Sequence, residues 1–582
     1  MQGIHPVTLE IVRNYLIAAL DEIETNLCRT AYSPIVYEVR DLTCAWVDRD
    51  GKLIAQGRKG LPIFLADIAP PVIDTIEVIG EDNWQPGDIA VTNYPKANGH
   101  HLNNVVCVSP VFYRGSIVAY TAIRTHWIDV GGKVAGSNPT DSTDIFQEGL
   151  QMRALKLYKG GELCPEIARV VACNTRYPDL LFGDIRAQAA ACRLGERRFV
   201  ELLEKYGAAT VRACIDEIWD RSEQAARRAI RQIPNGVYRA ESFLDDDGIG
   251  DEPIPVRITV EVADEKITVD FSDMAPTLRG PFNSGPSGGT AVAKVAFKYL
   301  TLPDHPADEG AFRPLKIVLP PGTMVSAEPP APMGLWNVPL PTVIDTILKA
   351  FSEPLKKRIP AGHLADICSF FWSNLPGRER WVNLEGCPGG WGARPFEDGP
   401  SPMKSVSHGD TYKGSLEVEE SLSPYQVRYY RLATDSGGAG KYRGGLGIDI
   451  AWHFPEGCLA MIELERSKCP PWGLHGGEPG RGNTGEVQLP DGTSRRVQKV
   501  TGAQFPPGTT VVYHTAGGGG WGDPLQRDPA AVLNDVMQGY VSLARAREDY
   551  GVVLSADGQH VDAAATAELR ERISNGEGTW QA

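Results

Sequence analysis

From Val7 to Arg29 the apolar residues Leu9, Val12, Leu16, Leu20, Ile23 and Leu27 recur every three or four positions, with Asp21, Glu22 and Glu24 between them. That spacing predicts an amphipathic helix. Residues 45–48 and 52–55 flank Arg49-Asp50-Gly51 and predict a hairpin closed by an Asp-Gly turn. Apolar strands are predicted over 88–93, 105–113 and 116–123, the last running directly into His126. Helical rhythm returns between Asp184 and Ile233, breaks at Gly207 and stops at Pro234-Asn235-Gly236. Residues 256–262 and 266–271 alternate around Ala263-Asp264-Glu265, a second hairpin with one buried face. Helical character reappears over 291–300, 341–351 and 530–540, and no fixed-period repeat is evident.

Between about 380 and 525 short β segments alternate with glycine blocks such as Cys387-Pro-Gly-Gly-Trp-Gly392, Ser436-Gly-Gly-Ala-Gly440 and Ala516-Gly-Gly-Gly-Gly-Trp-Gly522. Apolar and aromatic residues punctuate these blocks, unlike a flexible linker. The preferred reading is a packed layer of polyproline II strands, because missing side chains let backbones approach; mobile loops between strands are the alternative. The pattern divides the chain into 1–235, a helix plus β region carrying a His/Asp cluster; 236–380, an α+β middle region; and 381–582, a glycine-rich region with a C-terminal helix.

Composition narrows the class. The 582 residues exceed what one core normally serves, and 42% hydrophobic with 23% charged residues is ordinary for a globular protein. No apolar run approaches the roughly 20 residues needed to cross a bilayer, and the start lacks a signal-peptide pattern, so a cytoplasmic location without membrane association is expected. A net charge of −15 with no strong basic run argues against nucleic acid as a partner. Eleven scattered cysteines without a Cys-x-x-Cys pair exclude a zinc ribbon and argue against a disulfide framework. Ser436-Gly-Gly-Ala-Gly-Lys441 lacks the spacing and the Ser/Thr of a P-loop, and Gly285-Pro-Ser-Gly-Gly289 carries proline where a nucleophile elbow does not.

Candidate chemistry concentrates between Asn93 and Gly132, which holds His100, His101 and His126 of only eleven histidines, together with Asp129. Imidazole and carboxylate beside glycine turns suit acid-base work or a metal. Asp41 and Glu148 could complete four or five ligands with His101, His126 and Asp129. Equally, Arg40-Asp41 could be a structural ion pair and Glu148 could cap the turn at Gly149.

The ordered series Arg29-Thr-Ala-Tyr-Ser33, Arg40-Asp-Leu-Thr-Cys44, His101-Leu102, Asp129-Val-Gly-Gly132, Gln147-Glu-Gly149 and Asp184-Ile-Arg-Ala-Gln188 resembles the hydantoinase B, 5-oxoprolinase and acetone/acetophenone carboxylase family. The likeness continues through Asp435–Gly445, Gly517–Pro524 and Tyr550–Val553, in order along the whole chain. It implies an α+β fold with β-sheets in a barrel-like arrangement, flanking helices and a polyproline II-like bundle. It also implies a subunit that does not itself bind ATP. A hydantoinase A-like partner, actin-like or sugar-kinase-like, binds ATP and phosphorylates a carbonyl oxygen. Lactams and hydantoins are then opened by water; an activated ketone enol instead attacks carboxy phosphate or carbon dioxide. A small zinc-binding subunit and bicarbonate are further implied partners, and Mg, Mn or Zn a possible ion in the complex.

The chain departs from the family's Asn-Asp-Pro at Tyr94, from His-Leu-Pro-Asp at Asn104 and from His-His-x-Asp at Trp127. Two carboxylates and one imidazole are replaced, which weakens the hold on a hard divalent cation. Aromatic bulk at Tyr94 and Trp127, with Asn104, suggests a pocket for a large apolar substrate. The expectation is therefore the large subunit of an acetophenone-type ketone carboxylase, with His101, His126 and Asp129 catalytic. The alternatives are cyclic-amide hydrolysis and a non-catalytic scaffold or channel.

Overall fold

The computed structural model describes residues 4–409 and 411–576. The first helix, Pro6–Thr30, buries Leu9, Val12, Leu16, Leu20, Ile23 and Leu27, the stripe its periodicity predicts. It packs against the helix Pro178–Tyr206. That helix is followed directly by a second, Ala208–Ile230; Gly207, at φ +80°, separates them. Glycine adopts that left-handed backbone without the Cβ penalty, which is why the break falls there.

Four sheets organise the rest. The largest contains β1 (Leu42–Val47), β2 (Leu53–Gln56), β3 (Ile89–Thr92), β4 (Asn104–Tyr113), β5 (Ser116–His126), β6 (Leu155–Lys159) and β7 (Glu162–Leu163), ordered β2-β1-β5-β4-β3-β6-β7. The second contains β8 (Gly236–Leu244), β9 (Ile254–Ala263), β10 (Lys266–Asp270) and β11 (Leu315–Val318), the last pairing parallel to β10. In the third, β12 (Ser369–Ser373) lies between β13 (Val382–Gly386) and β16 (Cys458–Glu463), with β19 (Lys499–Phe505) outermost. The fourth runs β14 (Gln426–Leu432), β15 (Ile448–Phe454), β20 (Thr509–His514), β17 (Thr484–Gln488), β18 (Ser494–Val497). The class is α+β as expected, but among the described residues each sheet is open at both edges, so the barrel-like closure is not found.

One hydrophobic cluster extends from Leu9 to Ile359 and takes in Phe371, Val382 and Met461; a second gathers residues from Leu364 to Ala516. No helix among the described residues is long and apolar enough to cross a membrane.

The glycine blocks form a packed layer. Segment 516–521 lies outside the sheet ladders, and its neighbours approach backbone to backbone. A methyl group added at Gly518 would sit 2.0 Å from the Trp391 carbonyl oxygen, and one at Gly390 2.0 Å from that of Gly445. The amide of Gly438 donates to the Gly518 carbonyl (2.8 Å), that of Gly518 to Gly445 (2.9 Å), that of Gly519 to Gly362 (2.8 Å) and that of Gly520 to Glu478 (2.9 Å). These donors are consumed within the layer rather than aimed at a phosphate, unlike those of a P-loop.

Because no side-chain rearrangement relieves a clash with a carbonyl oxygen, Gly518→Ala is expected to lower unfolding stability by about 1–3 kcal/mol or more. Urea denaturation measures it, and an unchanged midpoint would show that the layer yields.

Candidate functional site

The register of β4 and β5 assembles the histidines. Asn104, the first residue of β4, pairs with His126, the last of β5, so the loop carrying His100 and His101 lies beside His126. His126 thus ends a strand rather than standing on the loop beyond it. A short helical turn, Pro95–Asn98, enters this loop and closes at Gly99, at φ +67°, where a Cβ would lie 2.3 Å from the Ser287 hydroxyl.

His101 and His126 are buried, their rings edge to face with centroids 4.8 Å apart. Both ring nitrogens of His101 and Nδ1 of His126 lack a hydrogen bond of good geometry, although the Asn104 and Asn138 side chains and the Gly334 backbone lie close to His101. Burial pushes His101 down to about 4, with Asn104, Gly334 and Asn138 as the polar groups opposing that shift, and pushes His126 well below the ordinary histidine range. Both imidazoles are therefore neutral near pH 7. Asp41 faces the same space; burial raises its carboxyl to about 7 against the pull of Arg124, and Oδ1 is unpartnered.

Beneath them lies a buried charge network. Arg124 donates to Asp67 at 2.6 and 2.8 Å and to Asn98 Oδ1 at 3.0 Å. His100 Nε2 is 2.9 Å from Asp67 and its ring stacks on Trp336 at 3.6 Å between centroids. Burial, then the neighbouring Arg124 charge, holds His100 down at about 3.

Asp41, His101 and His126 open onto one cavity of ≈ 60 Å³, which Ile35, Val39, Asn138, Leu335 and Asn337 also line. The rest of its lining comes from far along the chain and includes Asp366, Ile367, Ser369, Leu384–Cys387, Lys404, Ser405 and His408. His363 holds that part of the lining, with Nδ1 2.8 Å from Asp345 and Nε2 accepting the Val406 N–H at 3.0 Å. Sequence reasoning missed Lys404, His408 and Asp366. The nearest signal was the rare histidine in Ser405-Val-Ser-His408, whose loop has no periodicity to place it.

Several expected site residues lie elsewhere. Trp127 is fully buried and its indole N–H donates to Gln188 at 3.1 Å. Tyr94 is partly exposed beneath the Arg153 guanidinium, 4.6 Å from the ring centroid. Asn104 turns its amide towards His100 Nδ1 at 3.3 Å. None of the three lines the cavity, so they do not form an aromatic substrate pocket there. Asp129 accepts the amides of Gly131, Gly136 and Arg176 and pairs with the Arg176 guanidinium at 2.8 Å. Glu148 accepts the Ser142 hydroxyl at 2.6 Å and the Met333 amide at 3.0 Å, fixing the turn that carries Leu335 and Asn337. Asp41, His101 and His126 come together, but Asp129 and Glu148 do not join them. Among the described residues no three His, Cys, Asp or Glu side chains form a metal-holding group. The five-ligand set does not fit a metal in this arrangement.

Comparison with known proteins places this geometry. The family model Hydantoinase B/oxoprolinase matches residues 5–524, and the chain belongs to that family. It is 31% identical over 593 residues to the B subunit of a putative D-/L-hydantoinase of Pseudomonas sp. (strain NS671), covering 98% of this chain and 99% of that one. It is 31% identical over 582 residues to the caprolactamase beta subunit of Pseudomonas jessenii, covering 97% and 99%. The crystal structure of the ATP-dependent caprolactamase from Pseudomonas jessenii superposes with a TM-score of 0.91 at 29% identity, over 97% of this chain and 99% of that one. A nucleotide-free acetone carboxylase shares the fold, with a TM-score of 0.89 at 20% identity over 98% and 83%.

Burial raises Glu148 from 4.5 to about 7. A raised carboxyl stabilises the fold fully below its unfolded pKa, and that contribution is lost as pH rises through the folded value. The stability advantage over Glu148→Gln should therefore shrink between about pH 4.5 and about pH 7.5. Denaturant unfolding at the two pH values checks this, and an advantage that grows with pH contradicts it.

Proposed function

We propose that the chain is the non-ATP-binding subunit of an ATP-dependent complex that opens a cyclic amide, with water attacking in the cavity lined by Asp41, His101 and His126. The carrying observation is the set of buried nitrogens of two neutral histidines, without well-formed hydrogen bonds, facing one partly open cavity. Buried polar atoms are ordinarily satisfied, and a cavity ringed by unsatisfied ones is completed by a polar ligand.

The relatives favour the reaction. Two full-length matches at 31% identity carry the names of a hydantoinase subunit and a caprolactamase subunit, whereas the acetone carboxylase likeness concerns the fold alone. The argument for ketone carboxylation from Tyr94 and Trp127 also falls away, since neither reaches the cavity.

In this reading a hydantoinase A-like partner supplies ATP chemistry by phosphorylating the amide oxygen, which makes its carbon electrophilic. This chain excludes bulk water and holds one water against an imidazole. His101 or His126 takes the water's proton as its oxygen bonds to the carbon; the ring C–N bond then breaks, the nitrogen leaves with that proton, and a second water hydrolyses the remaining acyl phosphate to carboxylate and inorganic phosphate. A buried imidazole at about 4 is a weak base, but an anion entering the cavity raises it towards neutrality. Asp41, poised at about 7, exchanges a proton in the same range.

The test is ring opening by the reconstituted complex with ATP, a hydantoin or lactam panel, a ketone panel and labelled bicarbonate. ATP-dependent ring opening without label is expected; label fixed into a ketone product instead overturns the reaction assignment. His126→Ala should lower ring opening by about 10²-fold or more, and an unaltered rate would remove His126 from the chemistry.

A further inference from the structure

Resting on the reading of this cavity as the substrate site, we propose that Lys404 forms an anion subsite in its wall, binding a carboxylate or phosphoryl oxygen of the ligand in the cavity that the two histidines also line. Among the described residues Lys404 is the only lysine or arginine that lines the cavity, and it makes no ion pair. Its ammonium donates to the Gly386 carbonyl. The carboxylate beside it, Glu385, is engaged by Lys413, which also reaches Glu419 at 3.3 Å. Lys413 thus satisfies the acid that would otherwise neutralise Lys404.

A buried charge without a counter-ion is costly, and the cost is recovered where an anion completes the pair. Burial lowers the Lys404 pKa despite the nearby Glu385 carboxylate, which Lys413 shares, so no dedicated counter-ion offsets the desolvation. The carboxyls sharing the cavity do not supply one. Burial raises Asp41 and Asp366, which favours their neutral forms. Asp366 Oδ2 is moreover taken by the Glu465 amide at 2.9 Å and the Asn483 side chain at 2.8 Å. Ser405 and His408 flank the lysine on the same wall and offer further polar contacts.

A subsite here selects ligands with an anionic oxygen group. Two sources share that chemistry: a carboxylate carried by the substrate or ring-opened product, and a phosphoryl group installed on the amide oxygen.

Isothermal titration of the full-length chain with sodium acetate and with inorganic phosphate, at constant chloride, tests the inference. Saturable binding of at least one probe is expected. Lys404→Met should weaken it about tenfold or more, and Lys404→Arg should retain it. Stronger binding of acetate identifies a substrate carboxylate as the natural ligand; stronger binding of phosphate identifies the phosphoryl group. Wild-type chain that binds neither probe, or Lys404→Met that binds both as wild type does, overturns the subsite. Should Lys404→Met fail to fold, Lys404→Gln replaces it under the same criteria. Failure of the ring-opening reading would look different: His126→Ala would turn over at the wild-type rate while the Lys404 dependence of probe binding persisted.

Discussion

A single buried guanidinium underlies the site. Arg124 is fully buried on β5, two residues before His126. Desolvating such an ion pair costs several kcal/mol per charge, recovered only with close pairing. Asp67 supplies that pairing through both oxygens, and Asn98 takes the second guanidinium nitrogen. Asn98 in turn donates to the Asn104 carbonyl at 2.9 Å, so the charge fixes the loop that carries His100 and His101. His100, pinned to Asp67, stacks on Trp336 and locates the turn that contributes Leu335 and Asn337. The same charge disfavours protonated His100 and His101 and lowers Asp41. The charge thus fixes the geometry of the cavity floor, while burial chiefly sets its protonation state.

The part of the cavity lining drawn from far along the chain depends on backbone contact. The Leu364 amide donates to Gly390 at 2.8 Å and the Ala393 amide to Gly519 at 2.9 Å, tying the approach to Asp366 into the glycine layer. A layer that tolerates no Cβ gives a rigid support for a wall made largely of loops. The cavity therefore exists only when the first sheet and the glycine-rich region fold together, which fits one hydrophobic cluster reaching from Leu9 to Met461.

Periodicity made the long helices legible, because the burial stripe of Pro6–Thr30 repeats at helical spacing and Gly207 marks the break after Tyr206. Asp41, His101 and His126 were legible through the family's ordered motifs, and all three meet in the cavity. Neighbours in sequence misled where side-chain direction decides. Trp127 follows His126 as β5 ends, and successive residues of extended chain point to opposite faces, so its ring enters the core beside Gln188. Asp129 and Glu148 had the right chemistry for ligands, but unsatisfied backbone amides claim their oxygens. Lys404 and His408 were invisible because only tertiary packing, through His363 and Val406, brings their loop against the histidines. The open sheets likewise could not be read from strand patterns, which fix pairing faces but not closure.

In the proposed reaction, chemistry takes place between the two neutral histidines. A crystal structure of the full-length chain with a ring-opened product, an amino acid released from a lactam or hydantoin, tests it most directly. The account predicts product density inside the cavity with an oxygen or nitrogen in hydrogen-bond contact with His101 or His126. Product bound at any other place, with both imidazoles still unpartnered, would contradict it.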